Sequence, residues 1–246
     1  MLRASRCCRP APAGTAGFDH AAFDEVLGAV ARDGLSALER LRTDLSEYRT
    51  ALRLLDPDGL AREDALAFWI NLYNAEMLEL VRETRELGEV SVLRLPGAFD
   101  RPRVSVAGER LSPDDVEHGK IRRFGDPRVH AALVCGSASC PTLRGEAYSG
   151  PALADQLDDQ MRRFLGDGGL VLDREAAEVR LSRIFLWYGA DFVRPSSMPS
   201  LRRVTRRAVA GSLFPWLDPD TARWIASTRP RIRYQSYDWG VGCSVA

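Results

Sequence analysis

The chain has 246 residues, 45% of them hydrophobic and 28% charged, and 34 basic against 34 acidic groups leave a formal net charge of +0. That length carries one large domain or two small ones, and the charge balance gives no electrostatic reason to expect nucleic acid or an anionic membrane as partner. No apolar run approaches the ~18 residues of a membrane span, and five cysteines in a chain of this size do not make a disulfide scaffold.

The first 17 residues, MLRASRCCRPAPAGTAG, hold Cys7 and Cys8 in a Pro/Ala/Gly-rich stretch without the apolar core of a signal peptide. A disordered leader over 1–17, one domain over 18–246 and a cytoplasmic location are expected. Helix is expected from Asp19, as N-cap, through Ala22, Phe23, Val26 and Leu27, with His20 capping or decorating its start. Leu38, Leu41, Leu45 and Leu52 form the stripe of a second helix or helical pair, and DPDGL is turn chemistry. The strongest helix follows, AREDALAFWINLYNAEMLELVRET, with Leu66, Trp69, Ile70, Tyr73, Met77 and Leu80 in a 3.6-residue period and no Pro or Gly.

Beyond Gly88 the chain turns β-like. VSVLRLPGAF and RPRVSVAGERLS suit short strands, with AGE as a hairpin turn. Ser112 as N-cap and Pro113 at the first helical position open a short helix carrying Glu117 and His118. VHAALVC, 129–135, reads as a buried strand. A helix over 150–165, a strand pair over 169–182, a helix over 184–192 and helical stretches at 199–213 and 219–226 precede a tail. The expected class is α+β: a helix-rich single domain with a small, mostly antiparallel sheet.

The chemistry gathers in RVHAALVCGSASCPTLRG, 128–145, with one of the chain's three histidines and two of its cysteines. In a strand His130 and Cys135 face opposite sides and stand roughly 16 Å apart, so they form no dyad. The GSAS spacer lets the chain reverse and bring Cys140 back beside the strand end. Four readings of the thiols stand open. Cys135, Cys140, His118 and His130 have a Cys₂His₂ composition, although C-x₄-C with both histidines upstream is not a familiar zinc spacing. A disulfide or redox pair is geometrically conceivable, although C-x₄-C is not the C-x-x-C of thioredoxin-like motifs. Cys140 in a Gly/Ser loop suits a nucleophile with His118 or His130 as base, and either cysteine can be a small core hydrophobe. Asn71 and Asn74 share one face of an apolar helix, where Asn is a poor interior residue unless bonded to something specific.

AFWINLYNA, EHGKIRRFGDPRVHAALVCGSASCPTLRGEAYSG, LDDQMRRFL and YDWG together resemble the domain of unknown function 547 family, over about Phe18 to Trp239. The resemblance implies a single helix-rich α+β domain without an established activity. It maps family positions onto Asn71, Tyr73, Asn74, Glu117, His118, Gly119, Asp126, Pro127, Arg128, His130, Cys135, Ser139, Cys140, Pro141, Tyr148, Trp187, Asp191 and Trp239. Relatives carry a histidine near the position of Glu79 and a more polar tail in place of GVG. The leading expectation is a cysteine-dependent hydrolase or acyl transferase. Cys140 is its nucleophile, His118 or His130 its base and Glu117 or Asn71 the orienting group, with amides of Gly136–Ser139 around an oxyanion. Asn74, Tyr73, Arg128, Ser139, Tyr148 and Trp239 are candidate substrate contacts. No cofactor is expected, and the partner is left open between a small molecule, a peptide-like ligand and a protein, with neither nucleic acid nor membrane expected. The rivals are a non-catalytic binding or scaffold domain and a Cys/His metal site.

Overall fold

The structure, a computed structural model, describes residues 14–194 and 203–242. Cys7, Cys8 and Cys243, most of the expected leader and residues 199–202 of an expected helix lie outside them. Ala16 is described and bridges to Leu60, its amide donating to the Gly59 carbonyl at 3.3 Å. Of three helices, α1 (Ala21–Asp33), α2 (Ala37–Arg40) and α3 (Arg42–Arg53), the second and third pack on the long α4 (Arg62–Glu86), and α1 packs on those two. Asp19 accepts the Ala21 amide at 2.9 Å, while His20 turns inward onto the Tyr48 hydroxyl at 2.6 Å.

Helix α4 is buried without a break from Ala65 to Leu78, the pattern of a central helix covered on all sides. Glu63 and Asp64 at its start and Arg85 at its end suit the helix dipole. Its buried charges are paired: Arg49 holds Glu76 through two bonds of 2.7 Å, and Arg82 holds Glu79 at 2.8 and 3.0 Å. Glu79 thus belongs to an ion-pair cluster facing α3.

The two-residue hairpin joins β1 (Val104–Val106) to β2 (Glu109–Leu111), with Val106 opposite Glu109. Ala107 at φ 48° and Gly108 at φ 79° give it the two left-handed residues of a type I′ turn. Ser112 caps the next segment as expected, its Oγ accepting the Asp115 amide at 3.1 Å while Asp115 accepts the Ser112 amide at 2.9 Å. That segment, Asp115–Ile121, is wound as a π-helix rather than an α-helix. Helices α5 (Val129–Ala132) and α6 (Leu153–Phe164) lead to a three-stranded sheet in the order β3 (Leu170–Asp173), β4 (Glu178–Leu181), β5 (Arg231–Tyr234). Strands β3 and β4 are antiparallel and β5 joins β4 in parallel. Between β4 and β5 lie α7 (Ile184–Trp187), α8 (Gly189–Val193), α9 (Arg206–Ser212) and α10 (Pro219–Thr228). The α+β, helix-rich class holds.

Three local expectations are corrected. Residues 90–99 form a 3₁₀ turn and bends instead of a strand. The tail contributes β5, which its sequence context concealed. Residues 129–132 are the helical turn α5, and the chain is extended without a sheet partner from Leu133. The backbone groups that a sheet ladder would have satisfied are held by side chains. Asn74 donates to the Ala132 carbonyl at 3.0 Å and accepts the Val134 amide at 3.1 Å, and Gln160 donates to the Ala131 carbonyl at 3.1 Å. Helix α5 also straddles two apolar clusters, with Val129 and Ala132 in the one around α4 and Ala131 in the one around the sheet.

Candidate active site

The extended run from Leu133 delivers Cys135 to a reversal that only glycine fits. Gly136 sits at φ 77°, and a Cβ there would lie 2.4 Å from Cγ2 of Val81 on α4. The Cys140 amide donates to the Ser137 carbonyl at 3.1 Å, closing the turn. Cys140 therefore returns to Cys135, with the sulfurs 2.6 Å apart and both residues half-buried. Cys140 Sγ also accepts the Cys135 amide at 3.0 Å, and the Ser137 hydroxyl oxygen lies 3.3 Å from each sulfur.

A second chain segment closes over this loop. Residues 237–242 run antiparallel to 136–139. The Ala138 amide donates to the Gly240 carbonyl at 2.9 Å, the Ser139 amide to Asp238 at 3.3 Å, and the Gly242 amide to Gly136 at 3.2 Å. Ser139 Oγ accepts the Asp238 amide at 2.9 Å. This strap brings the Tyr237 hydroxyl to 3.4 Å from each sulfur. The Tyr237 ring packs against Trp187 at 4.8 Å and Trp239 at 4.7 Å between centroids.

The two thiols are electrostatically unequal. Burial works to raise the Cys140 pKa, but hydrogen bonds from Cys135, Ser137 and Tyr237 outweigh it and bring the thiol down to about 6. Cys135 is driven well above its ordinary value by its bond to Cys140, by burial and by the charge on that neighbour. This is the pattern of a coupled pair in which the first proton leaves easily and the second with difficulty.

The imidazoles go elsewhere. His130, buried, bonds through Nε2 to Asp191 at 3.0 Å and stacks on Tyr188 at 4.0 Å. Arg122 bonds the same carboxylate at 2.8 and 3.1 Å and lies 3.3 Å from Nδ1 of His118. Among the described residues neither imidazole is hydrogen-bonded to a sulfur. Glu117 accepts the Tyr73 hydroxyl at 3.3 Å. Burial first, then the charges of Glu117 and of the cysteines, push the Tyr73 phenol up, so it stays protonated behind the thiols.

The remaining candidates separate by position. Asn71 is occupied by the backbone of Tyr148, donating to its carbonyl at 2.7 Å and accepting its amide at 3.0 Å. Asn74 holds the run into Cys135, as above. Arg128 pairs with Asp126 at 2.6 Å and Asp158 at 2.9 Å. It lines a groove of about 420 Å³ with Arg62, Phe124 and Leu157, near the start of α4 and roughly 18 Å along that helix from Asn74. The Ala138 and Ser139 amides, expected around an oxyanion, are used by the strap. Among the described residues no group of three or more His, Cys, Asp or Glu side chains is placed to hold a metal ion. Likewise, no helix there is long and apolar enough to cross a membrane. Tyr237 is the contact that sequence reasoning missed, though it stands in the same YDWG motif that contributed Trp239.

Residues 57–165 match the model of a family described as a protein of unknown function, DUF547. That segment belongs to the DUF547 family. The DUF547 region holds both sulfurs, both imidazoles, Glu117 and the two asparagines of α4, and it ends before Trp187, Asp191, Tyr237 and Trp239. The dithiol loop thus lies in the family region, whereas its aromatic cover and the His130 carboxylate lie outside it. Neither the curated proteins nor the solved structures compared with the chain contain a match.

Proposed function

We propose that this DUF547 protein is a dithiol enzyme of thiol–disulfide exchange, with Cys140 as attacking thiolate and Cys135 as resolving thiol. One observation carries the reading: two unlinked sulfurs in contact, with the Cys135 amide donating to Cys140 alone and the Ser137 and Tyr237 hydroxyls within reach of both. The Cys140 thiolate attacks one sulfur of a substrate disulfide, a new S–S bond forms, and the other substrate sulfur leaves as a thiolate that takes a proton from water. Cys135 then loses its proton and attacks Cys140 Sγ. The protein disulfide forms, the second substrate sulfur leaves, and two electrons have passed from the dithiol to the substrate. An external dithiol restores the reduced pair. The substrate class is a peptide or small-molecule disulfide, and the cytoplasm suits a pair held reduced.

Acyl transfer by Cys140 keeps one support, the His130–Asp191 pair, which has the form of an oriented imidazole. The readings separate in one experiment. Reduced protein is mixed with oxidised glutathione and with a disulfide-bonded peptide, and adducts are read by mass spectrometry. Exchange predicts that Cys135→Ser accumulates a mixed disulfide on Cys140, that Cys140→Ser forms none, and that His130→Gln still turns over. Acyl transfer predicts activity on ester or thioester probes that survives Cys135→Ser and is lost in His130→Gln.

A further inference from the structure

The strap places a phenol between the two sulfurs. Tyr237 Oη is 3.4 Å from Cys140 Sγ and 3.4 Å from Cys135 Sγ, and it accepts the Ser137 hydroxyl at 2.9 Å. With that lone pair occupied, the phenolic hydrogen points toward sulfur. The ring cannot easily turn away, because Trp187 and Trp239 pack on it and its neighbour Asp238 is tied to Ser139 through both backbone groups. Burial, and then the charge of the adjoining sulfurs, hold the phenol far above its ordinary pKa, so it keeps its proton beside an anion.

We propose that Tyr237 is a catalytic residue of the dithiol, donating one hydrogen bond to whichever sulfur is anionic: Cys140 during attack, Cys135 during resolution. The inference rests on the exchange reading and adds how a single site serves both half-reactions. The Cys135 amide cannot fill that role, since it reaches only Cys140. An equidistant hydroxyl serves both sulfurs without moving. Its proton is never transferred. In the first step the S–S bond of the substrate breaks as the Cys140–substrate bond forms. In the second the Cys140–substrate bond breaks as Cys135–Cys140 forms, the Cys135 proton going to water.

The test is Tyr237→Phe, which keeps the ring and the strap and removes only the hydroxyl. Two rates are read. The first is the pH profile of iodoacetamide alkylation at Cys140 in a Cys135→Ser background. The second is release of glutathione from a preformed Cys140–glutathione mixed disulfide in otherwise wild-type protein. The midpoint of the first is expected to rise by about one unit and the second to slow about tenfold at pH 7, the value of one unit of thiolate pKa. Site-specific 3,5-difluorotyrosine at 237, a stronger donor, is expected to move the alkylation midpoint the opposite way, which a purely structural role does not do. It also covers a Tyr237→Phe protein that fails to fold. An unshifted midpoint and an unchanged release rate overturn the role of Tyr237 while exchange stands. A wild-type mixed disulfide that never resolves overturns exchange itself, and the Tyr237 role with it.

Discussion

The backbone amide of Cys135 donates to the sulfur of Cys140 at 3.0 Å, and Cys140 does not return the bond, because its own amide is spent on the Ser137 carbonyl. That one-way bond distinguishes the two sulfurs geometrically, since the Ser137 and Tyr237 hydroxyls lie equally near both. A folded pKa lowered to about 6 leaves Cys140 mostly thiolate at pH 7 and protonated below pH 6. Alkylation of Cys140 is therefore expected to rise through a midpoint near 6, with Cys135 labelled only in alkali. Peptide mapping of isotopically distinct iodoacetamide pulses across pH checks this, and equal labelling of the two cysteines at pH 7 contradicts it.

Gly136 is under a double constraint, a left-handed backbone and the Val81 methyl 2.4 Å from where a Cβ would stand. Gly136→Ala is expected to cost about 2–4 kcal/mol, combining the left-handed penalty with overpacking. Val81→Ala in the same chain removes the clash and leaves the backbone penalty. The double variant should therefore be less destabilised than the sum of the two single ones. Urea titrations of the reduced proteins give that comparison; strict additivity would show that the contact with α4 does not matter.

Asn74 links helix periodicity to the placement of the thiols. Its amide satisfies the Ala132 carbonyl and the Val134 amide, the two backbone groups that flank the entry to Cys135. Asn74→Ala leaves both buried and unpaired, for an expected loss of about 2–4 kcal/mol. Asn71→Ala is expected to lose a similar amount by stranding Tyr148, yet to leave Cys140 reactivity near wild type. Asn74→Ala should raise the alkylation midpoint as well. Matched thermal melts and thiol kinetics on the two variants separate them, and equal thiol kinetics would remove Asn74 from the site.

The same asparagines show where the sequence spoke clearly and where it could not. Two Asn on one face of an apolar helix signalled specific bonds, and the bonds exist; their partners, 58 and 77 residues distant along the chain, carried no local mark. Residues 129–135 looked like a strand because a short apolar run satisfies helix and strand patterns alike. Asn74 and Gln160 decided the matter by taking backbone groups that a ladder would otherwise need. The reversal at GSAS was legible from Gly and Ser alone. Strand β5 and the strap were not, since RIRY is too short to read and its partner β4 is more than 45 residues earlier. Tyr237 went unnoticed for that reason: its value depends on a pairing between 136–139 and 237–242 that no local pattern announces.

Asp191 is the most heavily engaged carboxylate of the site, bonded by His130 and twice by Arg122. Burial works against its charge, but those bonds hold it well below the usual carboxylate range. A depressed folded pKa contributes stability that is fully present above the unfolded value, 3.8, and is lost as pH falls through the folded one. Asp191→Asn deletes a largely buried charge that His130 bonds once and Arg122 bonds twice, so a loss of about 3–5 kcal/mol is expected at pH 7. Wild type should lose its advantage over the variant as the pH drops below about 4, where its own carboxylate begins to gain a proton in the unfolded chain. Paired urea titrations from pH 7 to pH 3 measure the difference directly. A gap that stays constant across that range would mean that packing, and not the carboxylate charge, accounts for Asp191. Because Asp191 reaches the DUF547 segment from outside its matched residues, the same titrations report whether the sheet region and the family region melt as one cooperative unit. A single transition in wild type that splits into two in Asp191→Asn is the result expected if this ion pair is a principal tie between them.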